Sequence, residues 1–162
     1  MEKTPVSQYK IRFSDCDPFG HLNNARYLDY FLNAREDHLK EVYQLDLSDY
    51  YKQGISWLVG SHEIQYLKPA HYSETVAIQT SLIRAEADLL LVEMAMADPN
   101  SKQLKALCWT RFIPVNLKTG RRENHPEAFM SFAKSIENRI TETQLSESLA
   151  VKMAALKREA KV

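Results

Sequence analysis

Two carboxylates, an imidazole and two side-chain amides fall within thirteen residues near the start of the chain: Asp15, Asp17, His21, Asn23 and Asn24. Pro18 and Gly20 set a turn among them, and Tyr27 opens a run without Gly or Pro that continues to about residue 43. The turn thus delivers its polar groups to a helix N-terminus. Negative charge is favoured there, because the first backbone N–H groups of a helix have no partner inside it. A carboxylate that attacks a carbonyl or activates water, facing N–H donors that hold a developing oxyanion, suffices for acyl transfer. Asp17 suits the first task and the backbone amide at Asn24 the second. Asn24 cannot serve as acid or base near neutral pH, although its side chain can donate. His21 is therefore the one imidazole in the segment that could move a proton or orient a substrate.

The elements that must position these residues follow from hydrophobic period. Residues 6–13 alternate, with Tyr9, Ile11 and Phe13 on one face, and read as a strand. Residues 24–43 carry Tyr27, Leu28, Phe31, Leu32, Ala34, Leu39 and Val42 near helical spacing, with Asn23 as N-cap. After a polar bend at residues 46–53, residues 55–68 read as a long strand. Its apolar phase switches near Gly60, where a bulge is expected. Strands follow at residues 75–84, 89–97 and 104–115, joined by short hairpin connections. The last is partly apolar on both faces, as a central strand or an oligomer contact would be. Pro126 is placed as the first residue of a closing helix with Phe129, Phe132, Ala133, Ile136 and Ile140 as its stripe. The expected order is β-α-β-β-β-β-α, an α+β class. Residues 1–140 form the expected domain, and residues 141–162 an extension that is weakly helical or frayed.

The motif resembles that of the hotdog-fold thioesterases, in particular the branch of 4-hydroxybenzoyl-CoA thioesterase and related small acyl-CoA thioesterases. Those proteins carry Asp-x-Asp-x-x-Gly before a long helix with an aromatic residue shortly after, matched here by Asp15, Asp17, Gly20 and Tyr27. The His-x-Asn-Asn portion, His21, Asn23 and Asn24, resembles plant-type acyl-ACP thioesterases and their bacterial relatives. The likeness spans roughly residues 6–140 and includes residues 64–70 and 112–126. It implies an antiparallel sheet wrapped around the long central helix. It also implies Asp17 as catalytic carboxylate, with His21 and Asn24 beside it and Gly20, Asn23, Tyr27 and His62 near the substrate. The implied reaction is hydrolysis of an acyl-CoA or acyl-carrier-protein thioester, with coenzyme A as part of the substrate and no separate cofactor. The implied assembly is a homodimer or homotetramer in which residues 60–66 of one chain face Asp17 of another. A non-catalytic acyl-thioester binder and a hotdog hydratase or dehydratase are the alternatives. A binder would retain Asp17 only as a turn residue.

Bulk properties narrow the setting. The 162 residues carry 21 basic and 21 acidic side chains, so no net field favours nucleic acid. Two cysteines make neither a disulfide framework nor a metal site, and His38, His71 and His125 do not group at metal-ligand spacing. No apolar run of membrane-spanning length and no signal-peptide pattern occurs, which makes the cytoplasm the expected location. Lys68, Arg84, Arg111, Arg121 and Arg122 are cations available to a CoA phosphate, none singled out over the others.

Overall fold

A computed structural model describes residues 1–161; Val162, the last residue of the expected extension, lies outside the described residues. Five strands form one antiparallel sheet: β1 (Val6–Lys10), β2 (Ile55–Tyr66), β3 (Thr75–Glu86), β4 (Leu89–Ala97) and β5 (Leu104–Asn116). Their spatial order is β1-β3-β4-β5-β2, and a two-residue β6 (Arg121–Arg122) pairs with the end of β5. The long helix α1 (Tyr27–Glu41) lies against the inner face of this sheet. Around it come α2 (Leu47–Lys52), α3 (Glu127–Ile136) and α4 (Leu145–Ala160). The α+β architecture expected from the sequence, an antiparallel sheet curled around a central helix, is the one observed.

The sheet is apolar on both faces because it is covered on both. Ile78, Val92, Met94, Met96, Ala106 and Cys108 point inward to Phe31 and Ala34 of α1. Leu91, Ala95, Leu107 and Trp109 point outward to a second cluster that includes Leu145 and Leu149 of α4. This explains the two-faced pattern of β5, which takes the first of the two alternatives, a central place between β4 and β2. Burying Leu145 and Leu149 contributes about 1.5–3 kcal/mol each, which holds the first half of α4. A polar contact fixes where it docks. Glu93 on the outer face is only 6% exposed. It accepts from Trp109 Nε1 at 2.8 Å and from the Ser148 hydroxyl, and it pairs with Lys152 Nζ at 3.0 Å.

The bulge expected near Gly60 is present, as a register shift between Val59 and Ser61 in the β2–β5 ladder. Trp57 and Ile64 differ in strand parity, yet both pack on the inner core because the shift restores the phase. Several boundaries differ from expectation. The first strand stops at Lys10, and Phe13 enters a 3-10 turn (Phe13–Asp15) where it is 78% exposed rather than facing the core. The first helix begins with a 3-10 turn (Asn24–Arg26) and becomes α-helical only at Tyr27, ending at Glu41. Residues 46–53, read as a bend, contain α2, capped by Asp46 through its bond from the Ser48 N–H at 2.9 Å. Its single short amphipathic turn is too brief for periodicity to register. Pro126 is the N-cap residue of α3 rather than its first helical residue. Ile140 leaves that helix's stripe to join the outer cluster instead. Among the described residues no helix is long and apolar enough to cross a membrane.

Candidate active site at the start of the central helix

The loop between β1 and α1 is held by its own hydrogen bonds. Asp17 N–H donates to His21 O at 2.8 Å, and the Phe19 and His21 amides donate back to Asp17 Oδ1 at 2.9 and 3.0 Å. Gly20 N–H closes on Asp17 O at 3.0 Å, and Gly20 has φ +76° with open space where a Cβ would stand. That left-handed conformation is what glycine supplies. Asp17 is half-buried, and one carboxylate oxygen is committed to the turn while Oδ2 accepts from no described residue. Asp15 does a different job: its Oδ2 accepts from the Tyr30 hydroxyl at 2.7 Å, tying the loop to α1. Tyr30 is pushed up to about 12, first by burial and then by that bond. Cys16 lies between the two aspartates, and partial burial and then their charge push its thiol up, away from a thiolate role.

The helix start is capped in a way that leaves one amide over. Asn23 Oδ1 accepts from Ala25 N–H at 3.0 Å and Asn23 O from Arg26 N–H at 2.8 Å. The Asn24 N–H takes part in neither cap, and Asn24 is exposed. Its carbonyl accepts from the Tyr66 hydroxyl at 2.7 Å, which brings the end of β2 to the helix start. Tyr27 is 2% exposed, with its hydroxyl accepting from the Ala70 N–H at 3.1 Å and its ring edge-on to Tyr66 at 5.0 Å.

Asp17, Gly20 and His21 therefore share one loop, and Asn23, Asn24 and Tyr27 share the turn that follows it. His62 is held elsewhere: its Nδ1 is 2.7 Å from Thr110 Oγ1 on β5, and burial pushes its pKa down. From the sequence His71 is weighed only as a metal ligand and set aside, and the structure brings it to His21. Its ring meets that of His21 edge-on at 4.9 Å, through a bridge between the two backbones. Behind it Glu74 Oε2 accepts from the His71 N–H at 2.8 Å, and Glu74 Oε1 is 2.6 Å from Lys105 Nζ. Burial would raise the Glu74 carboxyl, but the hydrogen bond from Lys105, the bond from the His71 N–H and the Lys105 charge together hold it low. Only the adjoining residues 64–70 carried a signal in the sequence, and nothing local links positions 21 and 71.

A cavity of about 320 Å³ opens farther along α1, between it, the sheet and α3. Leu32, Leu39, Trp57, Val92, Phe112 and Phe129 are among its walls. Its size lies at the lower end of small-ligand pockets, which are mostly apolar like this one. Among the described residues no group of three His, Cys, Asp or Glu side chains is placed to hold a metal. Of the cations noted above, Arg84 pairs with Glu86 at 3.9 Å and Arg122 with Asp88 at 3.7 Å.

Comparison with known proteins bears on the fold and the family. Residues 11–133 match the family described as the Thioesterase-like superfamily. The chain is 27% identical over 117 residues to the long-chain acyl-CoA thioesterase FadM of Escherichia coli (strain K12), covering 70% of this chain and 84% of that one. Two solved structures share the fold. The 1,4-dihydroxy-2-naphthoyl-CoA thioesterase Slr0204 from Synechocystis has a TM-score of 0.74 at 18% identity, over 82% of this chain and 97% of that one. The DHNA-CoA thioesterase from Staphylococcus aureus also has a TM-score of 0.74, at 19% identity, over 98% of this chain and 96% of that one.

Proposed function

The chain belongs to the thioesterase-like superfamily, and from that premise we propose that it hydrolyses an acyl thioester, of coenzyme A or of an acyl carrier protein, to a carboxylic acid and a thiol. The observation that carries the reading is the loop-to-helix junction. One oxygen of Asp17 is locked by two amides and the other is unengaged, while the Asn24 N–H is left out of the caps that satisfy its neighbours. The thioester carbonyl would accept from that amide at the positive end of the helix. Asp17 Oδ2 would attack the carbonyl carbon, expelling thiolate and leaving an anhydride for water to open. Alternatively it would take a proton from water as that water attacks, and thiolate would leave protonated. Both routes consume one water and give the same products. His21 would orient the thioester, backed by His71. Gly20 leaves room for its approach, with Asn23 bordering the substrate over the buried Tyr27, and His62, held on Thr110, would border it from a second copy.

The active assembly in this reading is a homo-oligomer, dimer or tetramer. β2 is an edge of the sheet, and Leu58, Val59 and Tyr66 on it are 57%, 44% and 42% exposed. An unpaired apolar edge favours a second strand, and a second copy's β2 would bring residues 60–66 to face the partner's loop.

The two bonds to Asp17 Oδ1 are also what a turn residue would make in a binder without activity. Thiol release from acyl-CoAs running from acetyl to palmitoyl, with benzoyl, separates the readings when wild type is compared with Asp17→Asn. Asn keeps the turn's acceptor and loses the charge, so the rate should fall about a hundredfold to ten-thousandfold. Equal rates would remove Asp17 as catalyst. Silence across CoA and carrier-protein substrates, with measurable affinity for them, would establish a binder.

A further inference from the structure

The cavity beside α1 is walled by apolar side chains, with a guanidinium among them. Arg35 lines it together with Leu82, Leu90, Val92 and Phe129, and is only 6% exposed. Its Nη1 donates to Thr80 Oγ1 at 3.0 Å, and its Cζ stands 5.9 Å from the centre of the Tyr43 ring. Thr80 Oγ1 is also 2.7 Å from His38 Nδ1, and His38 Nε2 is 2.9 Å from Ser7 Oγ. Among the described residues no carboxylate lies within 4 Å of Arg35. Glu36 also lines the cavity, but it is exposed.

This cation is therefore surrounded by neutral groups. Burial lowers the guanidinium only to about 10, so it stays charged near neutral pH. Burial and then Arg35 itself push His38 down to about 4, so the imidazole beside it is neutral. A buried charge without a counter-charge is strongly unfavourable, and an apolar residue of similar volume would ordinarily be more stable there. An arginine carries five N–H donors in a fork that matches a carboxylate; Thr80 and the Tyr43 side chain engage part of it, and neither carries a negative charge near neutral pH. Arg35 is nonetheless among the residues that line the cavity.

We propose that the cavity receives acyl chains whose far end carries a carboxylate, and that Arg35 is the residue that selects them. The proposal rests on the thioesterase reading for its chemistry and names the substrate class of that enzyme: ω-carboxyacyl thioesters. Distance along α1 adds a length. From Asn24 to Arg35 the 3-10 and α-helical turns rise roughly 18 Å, and an extended chain advances about 1.2 Å per bond. A chain that runs parallel to the helix from the Asn24 amide needs about fifteen bonds to draw level with the Arg35 backbone, and on the order of a dozen carbons where the long arginine side chain leans back toward the helix N-terminus.

The test compares dodecanoyl-CoA with its ω-carboxy counterpart in thiol release, and dodecanoate with dodecanedioate in calorimetric binding. Wild type should favour the ω-carboxy member of each pair by at least about tenfold, and Arg35→Met should bring both ratios near one. Equal affinity of wild type for the diacid and the monoacid overturns the proposal and needs no variant. A preference that survives in folded Arg35→Met overturns it too, since the carboxylate would then be read elsewhere. If no thiol is released from either substrate, the hydrolase reading fails, while the binding pair still decides whether Arg35 selects a carboxylate. Should the Met variant not fold, Arg35→Lys, which keeps the charge and loses the fork, should reduce the binding ratio; an undiminished ratio would overturn the proposal.

Discussion

Replacing Asn24 with proline removes its backbone N–H together with its carboxamide, and the carboxamide alone is removed by the alanine control. Asn24 is the first residue of its 3-10 turn, a position where proline's fixed φ suits a helix start. The preceding residue, Asn23, has φ −61° and ψ 135°, in the extended region that a following proline requires. The Asn24 N–H serves neither of the neighbouring caps, and the Asn24 carbonyl that accepts from Tyr66 is kept. Stability should therefore hold or rise, by up to about 1 kcal/mol, through a stiffer unfolded chain. The rate should not hold. If the amide is the oxyanion donor, its loss raises the barrier by about 3–4 kcal/mol, a hundredfold to a thousandfold in kcat. Asn24→Ala, which keeps the N–H and discards the side chain, should retain most of the rate. Thiol release and urea unfolding on both variants give the answer. A proline variant that folds and keeps kcat within a few-fold would refute the amide's role, and an alanine variant as damaged as the proline one would shift it to the side chain.

Two further outcomes concern stability. His38 is 1% exposed and pushed down to about 4, by burial and then by Arg35, so the unfolded chain takes up a proton before the folded one. Its contribution is complete above about pH 6.5 and is lost as pH falls to about 4, worth roughly 3 kcal/mol; unfolding free energy measured across that window should flatten in His38→Gln, and identical profiles would refute the assignment. Glu93→Ala leaves Trp109 Nε1, Ser148 and Lys152 without their shared acceptor, and should destabilise by about 3–5 kcal/mol. An unchanged urea midpoint would mean that α4 docks by apolar contact alone.

The sequence alone determined the parts of this protein that depend on neighbours along the chain. The Pro18–Gly20 turn, the Asn23 cap, the bulge at Gly60 and strand β4, bounded at Leu89 and Ala97 as expected, all rest on residues within a few positions of one another. The same is true of the motif through which Asp17 and Asn24 were singled out, because a loop and the 3-10 turn directly after it carry them. Only the folded chain decided what meets across distance. The order β1-β3-β4-β5-β2 sets the exposed β2 at an edge and Tyr66 against Asn24. It also sets β3 beside α1, where Thr80 meets Arg35 and His38 across more than forty residues. Glu93 reads locally as a polar residue among apolar ones, and its role appears only when Ser148 and Lys152 arrive from α4. Hydrophobic period and capping act within a turn or a strand pair, whereas these contacts depend on which faces come together when the sheet closes on its helices.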